Sequence, residues 1–218
     1  MHFKPRIVAL GDSAILIQLG EEIDPAVNRR VHALAGLVEA STIAGIIETV
    51  PAYAALLVHY DPLVLSFAQI KSILREKMTQ IQENESRKPR LVEVSVRYGG
   101  ELGLDLESVA SHLGLNVADV IRIHSEKIYT VYMMGFTPGY PYMGKLDDIL
   151  IMPRLETPRT HVPAGTVAIA GSQTGIYSIE SPGGWNLIGW TPLKLFDPNS
   201  DSPFLFAPGD EVKFIPET

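Results

Sequence analysis

The chain has 218 residues, with 18 Lys and Arg against 25 Asp and Glu, six His and no Cys. That length suits one large domain or two small ones, and the missing cysteine excludes a disulfide scaffold, a thiolate metal site and a cysteine nucleophile. A formal net charge of −7 argues against binding nucleic acid by phosphate neutralisation, and no apolar run approaches the roughly 20 residues of a membrane-spanning helix.

The N-terminus, MHFKPR, leads into no apolar stretch with a small-residue cleavage site, so a cytoplasmic location is expected. The charge is unevenly spread. Residues 1–90 carry 10 basic and 10 acidic side chains, whereas 91–218 carry 8 and 15. Residues 135–189 hold 9 of the 18 glycines, and between Thr160 and Leu193 the only formally charged side chain is Glu180. Such a break predicts two differently built units, residues 1–84 and 91–218.

In the first unit, Arg6–Leu10 and Ala14–Leu19 flank Gly11-Asp12-Ser13 and read as a hairpin. Val27, Val31, Leu34, Ala35 and Val38 recur at helical spacing after an Asp24-Pro25 start signal. Ile43–Val50 and Tyr53–Tyr60 are strand-like, and Ile70, Ile73, Leu74, Lys77, Met78 and Ile81 define a second helix. The order ββαββα predicts an α+β, ferredoxin-like sandwich whose apolar stripes are core. Residues 82–89 (QENESRKP) are polar and end in proline, which predicts a linker over 85–90.

The second unit opens with a strand, Leu91–Tyr98. Two helices follow: Leu106–Leu113 capped by Asp105, and Val117–His124 capped by Asn116. Their spacing resembles a helix-turn-helix. One arginine, Arg122, in a unit of net −7 is a poor recognition helix, so a helical hairpin packed on a sheet is expected instead. Ile128–Met134 is a strand, and the following residues 135–144 are mostly Gly, Pro and aromatic. That loop reads equally as a ligand wall or a rigid turn. The remaining strands are predicted at Thr166–Ala170, Ile176–Ile179, Asn186–Trp190, Leu193–Phe196, Phe204–Phe206 and Glu211–Ile215, a spacing that suits a barrel or sandwich. No Walker-type or dinucleotide glycine motif is present, and no His, Asp or Glu grouping has metal-ligand spacing.

The run Gly135-Phe136-x-Pro138-Gly139-Tyr140-Pro141-Tyr142-x-Gly144, then Pro153-Arg154 and Pro158-Arg159, Val162-Pro163-Ala164-Gly165-Thr166-Val167, Gln173-Thr174-Gly175-Ile176-Tyr177 and Ser181-Pro182-Gly183-Gly184-Trp185-Asn186-Leu187-Ile188-Gly189 resembles the KipI family. That family is also known as allophanate hydrolase subunit 1 or as PxpB, the B subunit of 5-oxoprolinase. The resemblance implies an α+β N-terminal domain followed by a mainly-β cyclophilin-like barrel. It implies a cyclophilin-like partner of the KipA type, the C subunit of 5-oxoprolinase, and a LamB/YcsF-type A subunit. With these the family forms an ATP-dependent enzyme that opens 5-oxo-L-proline to L-glutamate. It also implies an alternative role, inhibition of sporulation histidine kinase autophosphorylation. A role on another amide or urea-derived substrate is a third reading, although no amidase-type Ser–Ser–Lys stretch is present.

A lactam is a poor electrophile, so its hydrolysis calls for activation, placement and charge stabilisation. ATP, arriving with magnesium at a site shared with a partner, is the expected co-reactant. Arg159, and less so Arg154, suit a carboxylate or phosphate. Gln173 can donate to and accept from an amide, and Thr174 with nearby backbone N–H groups suits an oxyanion. His124 is the candidate for proton transfer or substrate orientation, with His161 behind it. Phe136, Pro138, Gly139, Tyr140, Pro141, Gly183, Gly184 and Trp185 are expected to line the substrate site. Gly183-Gly184-Trp185 is open to a second reading as a β-bulge. No intrinsic metal is expected, and the chain alone is expected to be inactive.

Overall fold

The structure is a computed structural model that describes residues 3–81 and 89–217. The chain divides into two compact units, Met1–Lys88 and Pro89–Thr218. The predicted linker over 85–90 lies outside the described residues except for Pro89 and Arg90.

In the first unit β1 (Arg6–Ala9) and β2 (Ala14–Gln18) form the expected hairpin. Helix α1 (Pro25–Ala40) starts where Asp24 accepts from the Ala26 and Val27 N–H groups at 2.8 and 2.9 Å, with proline in the first turn. Strands β3 (Ile46–Pro51) and β4 (Ala55–Tyr60) pair, and α2 (Phe67–Thr79) opens with a Ser66/Gln69 capping box. The sheet is antiparallel in the order β1-β2-β4-β3. Ile15, Ile17, Leu56 and Val58 project from alternate strand positions and share one core with Val31, Leu34, Ile70 and Leu74. Both helices therefore cover the same face of the sheet.

The second unit is built on a closed barrel of seven strands. They are β5 (Leu91–Tyr98), β6 (Ile128–Met134), β7 (Pro141–Gly144), β9 (Thr166–Ala170), β10 (Gln173–Ile176), β12 (Asn186–Trp190) and β13 (Glu211–Pro216). Around the barrel they run β10-β7-β6-β13-β5-β12-β9. The only parallel pair among the described strands is β5 with β13. A separate pair, β8 (Arg159–Val162) with β11 (Ser181–Gly183), lies outside the barrel ladder. Helices α3 (Leu106–Leu113) and α4 (Val117–Glu126) form a hairpin packed on β12 and β13, so α4 is part of the barrel's core rather than a groove reader.

The wall carries two cores. In β9, Val167 and Ile169 belong to the main core, which also takes Val94, Val96, Tyr129, Val131, Met143, Ile176, Val212 and Phe214. The alternate residues Ala168 and Ala170 belong to a second cluster with Tyr140, Val162, Tyr177, Trp185 and Leu187. Alternation across a strand puts these sets on opposite faces. The first fills the barrel; the second coats the outside of its wall beneath β8 and β11.

Several expected elements differ. Pro141–Gly144 is a barrel strand, not loop. The strand expected at Ile176–Ile179 lies earlier, at Gln173–Ile176, because a two-residue turn at Gly171-Ser172 pairs Gln173 with Ala170. Leu193–Phe196 and Phe204–Phe206 make only one isolated bridge, Phe196 to Phe204. Pro192, Pro198 and Pro203 withhold ladder donors there, and Leu195 and Phe206 serve as core plugs. No described helix is long and apolar enough to cross a membrane.

Candidate functional site

A cavity of about 310 Å³ opens on the outer cluster. Its walls are aromatic: Phe136, Tyr140, Tyr142, Tyr177 and Trp185, with Pro158, Pro182, Gly183 and Gly184 completing them and Arg154 at the edge. The rings contact edge to face or tilted. Tyr140 lies 4.9 Å from Tyr142, 5.3 Å from Tyr177 and 6.0 Å from Trp185, measured between centroids.

Small residues let the rings lie on the wall. A Cβ at Gly175 would fall 2.5 Å from the Tyr140 hydroxyl, and one at Gly183 would collide with the Tyr177 hydroxyl. Both positions therefore require glycine for close approach. The Gly/Pro loop is ordered from its own backbone and from Ser178. The Gly135 N–H donates to the Tyr140 carbonyl at 3.1 Å, and the Ser178 hydroxyl donates to the Pro138 carbonyl at 2.6 Å. Phe136 takes a left-handed backbone, φ 65°, and stands 61% exposed at the cavity mouth with its ring edge-on to Tyr140. A bulky residue held there is strained, a feature that clusters at ligand clamps.

Charge at the cavity is sparse. The Arg154 guanidinium stands 6.0 Å over the Trp185 ring and makes no ion pair among the described residues. Arg159, its neighbour on β8, is committed elsewhere. It donates to Asp105 at 2.7 Å, and the other Asp105 oxygen accepts from the Leu187 N–H at 2.7 Å. This corrects the expected cap: the Asp105 carboxylate makes no hydrogen bond to its own helix because these distant partners hold it. Burial raises the Tyr142 and Tyr177 hydroxyls above their ordinary range. Arg154 opposes this at both, and Arg159 and the Trp185 backbone oppose it at Tyr177.

His124 lies on the other side of the wall. It is fully buried in the main core, stacked on Phe214 at 4.6 Å. Its Nδ1 is 2.7 Å from the Tyr98 hydroxyl and its Nε2 is 2.9 Å from Thr174 Oγ1. Thr174 spends its own proton on the Ala168 carbonyl at 3.1 Å, so it accepts from His124 Nε2–H, and Nδ1 accepts from Tyr98. Burial drops the His124 pKa to about 3, leaving the ring neutral.

The family model described as "Carboxyltransferase domain, subdomain C and D" matches residues 5–206. The chain is 44% identical over 225 residues to the 5-oxoprolinase B subunit of Bacillus subtilis (strain 168), covering 99% of this chain and 94% of that protein. The chain belongs to the family of 5-oxoprolinase B subunits. The Escherichia coli O157:H7 member is 39% identical over 98% of this chain and 97% of its own length. Among solved structures TTHA0988 superposes with a TM-score of 0.83 at 40% identity, over 94% of this chain; the chain spans only 40% of that longer protein. The K. lactis urea amidolyase, at 22% identity and a TM-score of 0.81, shares the fold over 98% of this chain and 15% of its own length.

Within this family's fold, Phe136, Tyr140, Gly183, Gly184 and Trp185 of the expected substrate residues converge on the cavity. Pro138, Gly139 and Pro141 shape the loop and strand beside it. His124 and Thr174 sit together inside the barrel, away from the cavity. Arg159 lies in register with Gly183 next to the cavity but is tied to Asp105; Gln173 begins β10. His161 is exposed and 3.2 Å from Glu180. Tyr142, Tyr177, Pro158 and Pro182 are lining residues that sequence reasoning did not place in the substrate site. All four stand within the family motifs, and that is the available signal. Among the described residues no group of three or more His, Asp or Glu converges to hold a metal.

Proposed function

We propose that the chain is the B subunit of an ATP-dependent 5-oxoprolinase that opens 5-oxo-L-proline to L-glutamate and works only with its partner subunits. The observation that carries this is the 44% identity over nearly its whole length to a 5-oxoprolinase B subunit. The cavity supports it. Aromatic faces suit a small flat ring, and a single cation suits a single negative charge. In this reading the partners are a cyclophilin-like C subunit of the KipA type and a LamB/YcsF-type A subunit. The barrel is cyclophilin-like, and the first unit is a ferredoxin-like sandwich, supported by its four-stranded antiparallel sheet with two helices on one face.

The cavity's lining does not fit a nucleotide triphosphate by itself. It presents one guanidinium and apolar walls, without the ring of donors several phosphate charges require. ATP is therefore assigned outside this cavity, with a partner. The roles of this chain's residues are binding and placement: the rings sandwich the lactam, and the Phe136 loop borders the opening through which bulk water is limited. His124 and Thr174 hold the barrel interior, and Arg159 braces β8 through Asp105.

The test is reconstitution. The purified chain and the C and A subunits are assayed singly and together for glutamate release from 5-oxo-L-proline and ATP. Activity is expected only from the three together. Full activity from this chain alone, or from the other two without it, overturns the proposal.

A further inference from the structure

We propose that Arg154 and Tyr177 are the specificity-determining residues of the cavity, Arg154 binding the carboxylate of a small cyclic amide acid and Tyr177 donating to its ring carbonyl. This rests on the reading of the cavity as the lactam site and adds the groups that recognise the two polar ends of the substrate.

Arg154 is the only charged group among the described residues lining the cavity. Its neighbour Arg159 is neutralised by Asp105, whereas Arg154 has only the Trp185 face beneath it. A guanidinium held over an indole keeps its N–H fork free for a bidentate anion. One uncompensated cation above apolar walls matches one carboxylate rather than a polyphosphate. The second unit otherwise carries the whole net charge of −7, so a bare cation here is a local exception that draws anions to this spot.

Tyr177 supplies the other end. Its side chain is 1% exposed, yet it lines the cavity wall. The Trp185 backbone donates to its oxygen, which occupies a lone pair and leaves the hydroxyl its O–H to donate. Burial keeps the hydroxyl protonated at neutral pH. At the cavity wall such an O–H can donate to a ligand carbonyl. Gly183 lets the β11 backbone pack directly against that hydroxyl and hold it in place, since a Cβ there would collide with it.

The test uses the full chain and the three-subunit complex, with Arg154→Gln, Arg154→Lys and Tyr177→Phe. Trp185 reports binding by fluorescence in a Trp190→Phe background. The probes are 5-oxo-L-proline, 2-pyrrolidinone (the same ring without the carboxylate) and ATP. Loss of a charge-assisted contact should weaken 5-oxo-L-proline binding, and raise its KM in the complex, by about tenfold or more in Arg154→Gln. Arg154→Lys should recover part of this, and 2-pyrrolidinone should bind Arg154→Gln and unmodified chain alike. Tyr177→Phe should weaken both lactams together. An active complex whose KM is unmoved by Arg154→Gln overturns the assignment and leaves the 5-oxoprolinase reading standing. An inactive complex whose free chain still shows Arg154-dependent 5-oxo-L-proline binding removes the enzymatic reading and keeps the site. A response to ATP that Arg154→Gln abolishes, with none to 5-oxo-L-proline, makes the cavity a phosphate site and overturns it.

Discussion

His124 should act as a pH-dependent brace of the barrel. Folded, its pKa is lowered from 6.5 to about 3 by burial, and its ring is neutral with Nε2–H donating to Thr174. Unfolded, it takes up a proton below about pH 6.5. Between these values the unfolded chain binds one more proton than the folded chain, so stability is complete above about pH 6.5 and falls as pH drops toward 3. The slope is about 1.4 kcal/mol per pH unit, and the full span is worth on the order of 5 kcal/mol.

The variant His124→Gln removes the titration. It also loses the stack on Phe214, which should cost about 2–3 kcal/mol at pH 7.5. Urea unfolding followed by tryptophan fluorescence isolates the second unit, because both tryptophans, Trp185 and Trp190, lie there. From pH 7.5 to 4.5 the unmodified chain should lose about 2–3 kcal/mol relative to the variant, so that their stabilities converge near pH 4.5. Parallel stability curves over that range would refute both the buried neutral ring and the hydrogen-bond assignment built on it.

Other consequences follow from named contacts. Asp105→Asn should destabilise the second unit by about 2–3 kcal/mol by the same assay, since it leaves Arg159, 27% exposed and with Nη1 already lacking a partner, without its counter-charge. Gly183→Ala should push Tyr177 out of place, costing about 1–3 kcal/mol and abolishing the 5-oxo-L-proline fluorescence response; an unchanged response would mean the hydroxyl does not serve the cavity. Asp24→Ala should cost the first unit about 1 kcal/mol, read by circular dichroism on thermal unfolding, with the tryptophan signal of the second unit unmoved. A cap loss that moved the tryptophan transition equally would show the two units unfold as one.

What was legible in the sequence was local. Asp24-Pro25, Asn116 and the alternation of Leu91–Tyr98 and Ile128–Met134 mark element ends within a few residues, and the structure starts α1, α4, β5 and β6 there. What was hidden depends on partners far along the chain. Asp105 reads as a cap, but Leu187, 82 residues away, and Arg159 take its oxygens. Arg159 reads as the better anion ligand, yet that same pairing spends it and leaves Arg154 free. His124 sits in a segment near the Gly/Pro loop, and only the burial of α4 against β13 and the pairing with Thr174 show that it faces the barrel interior. Pro141–Gly144 and β11 do not read as strands because proline and glycine are poor strand formers, and β8 is a four-residue run between Pro158 and Pro163.

The two-sided wall explains why the candidate residues fall into two groups. A seven-stranded barrel of this size leaves no lumen once Val167, Ile169, Phe214 and His124 fill it, so a ligand must bind on the outside. The outside of β9 and β10 can accept one because it is paved with Ala168, Ala170 and Gly175, whose small side chains leave depth for the rings of Tyr140, Tyr177 and Trp185. That placement has a consequence for assembly under the proposed reading. A site inside a barrel would be closed by its own chain, whereas a site on the wall is bordered by the Phe136 loop, the Arg154–Pro158 segment and the Pro182–Trp185 turn, and opens outward. Its remaining side must be closed by something else if water is to attack the lactam's activated carbonyl carbon and not its phosphoryl group, which would return the lactam and spend ATP. The exposed Phe136 ring at the mouth is where a partner would add that wall, and Phe136→Ala in the three-subunit complex should therefore lower glutamate yield per ATP consumed. A yield equal to that of the unmodified complex would show that the mouth is not closed there.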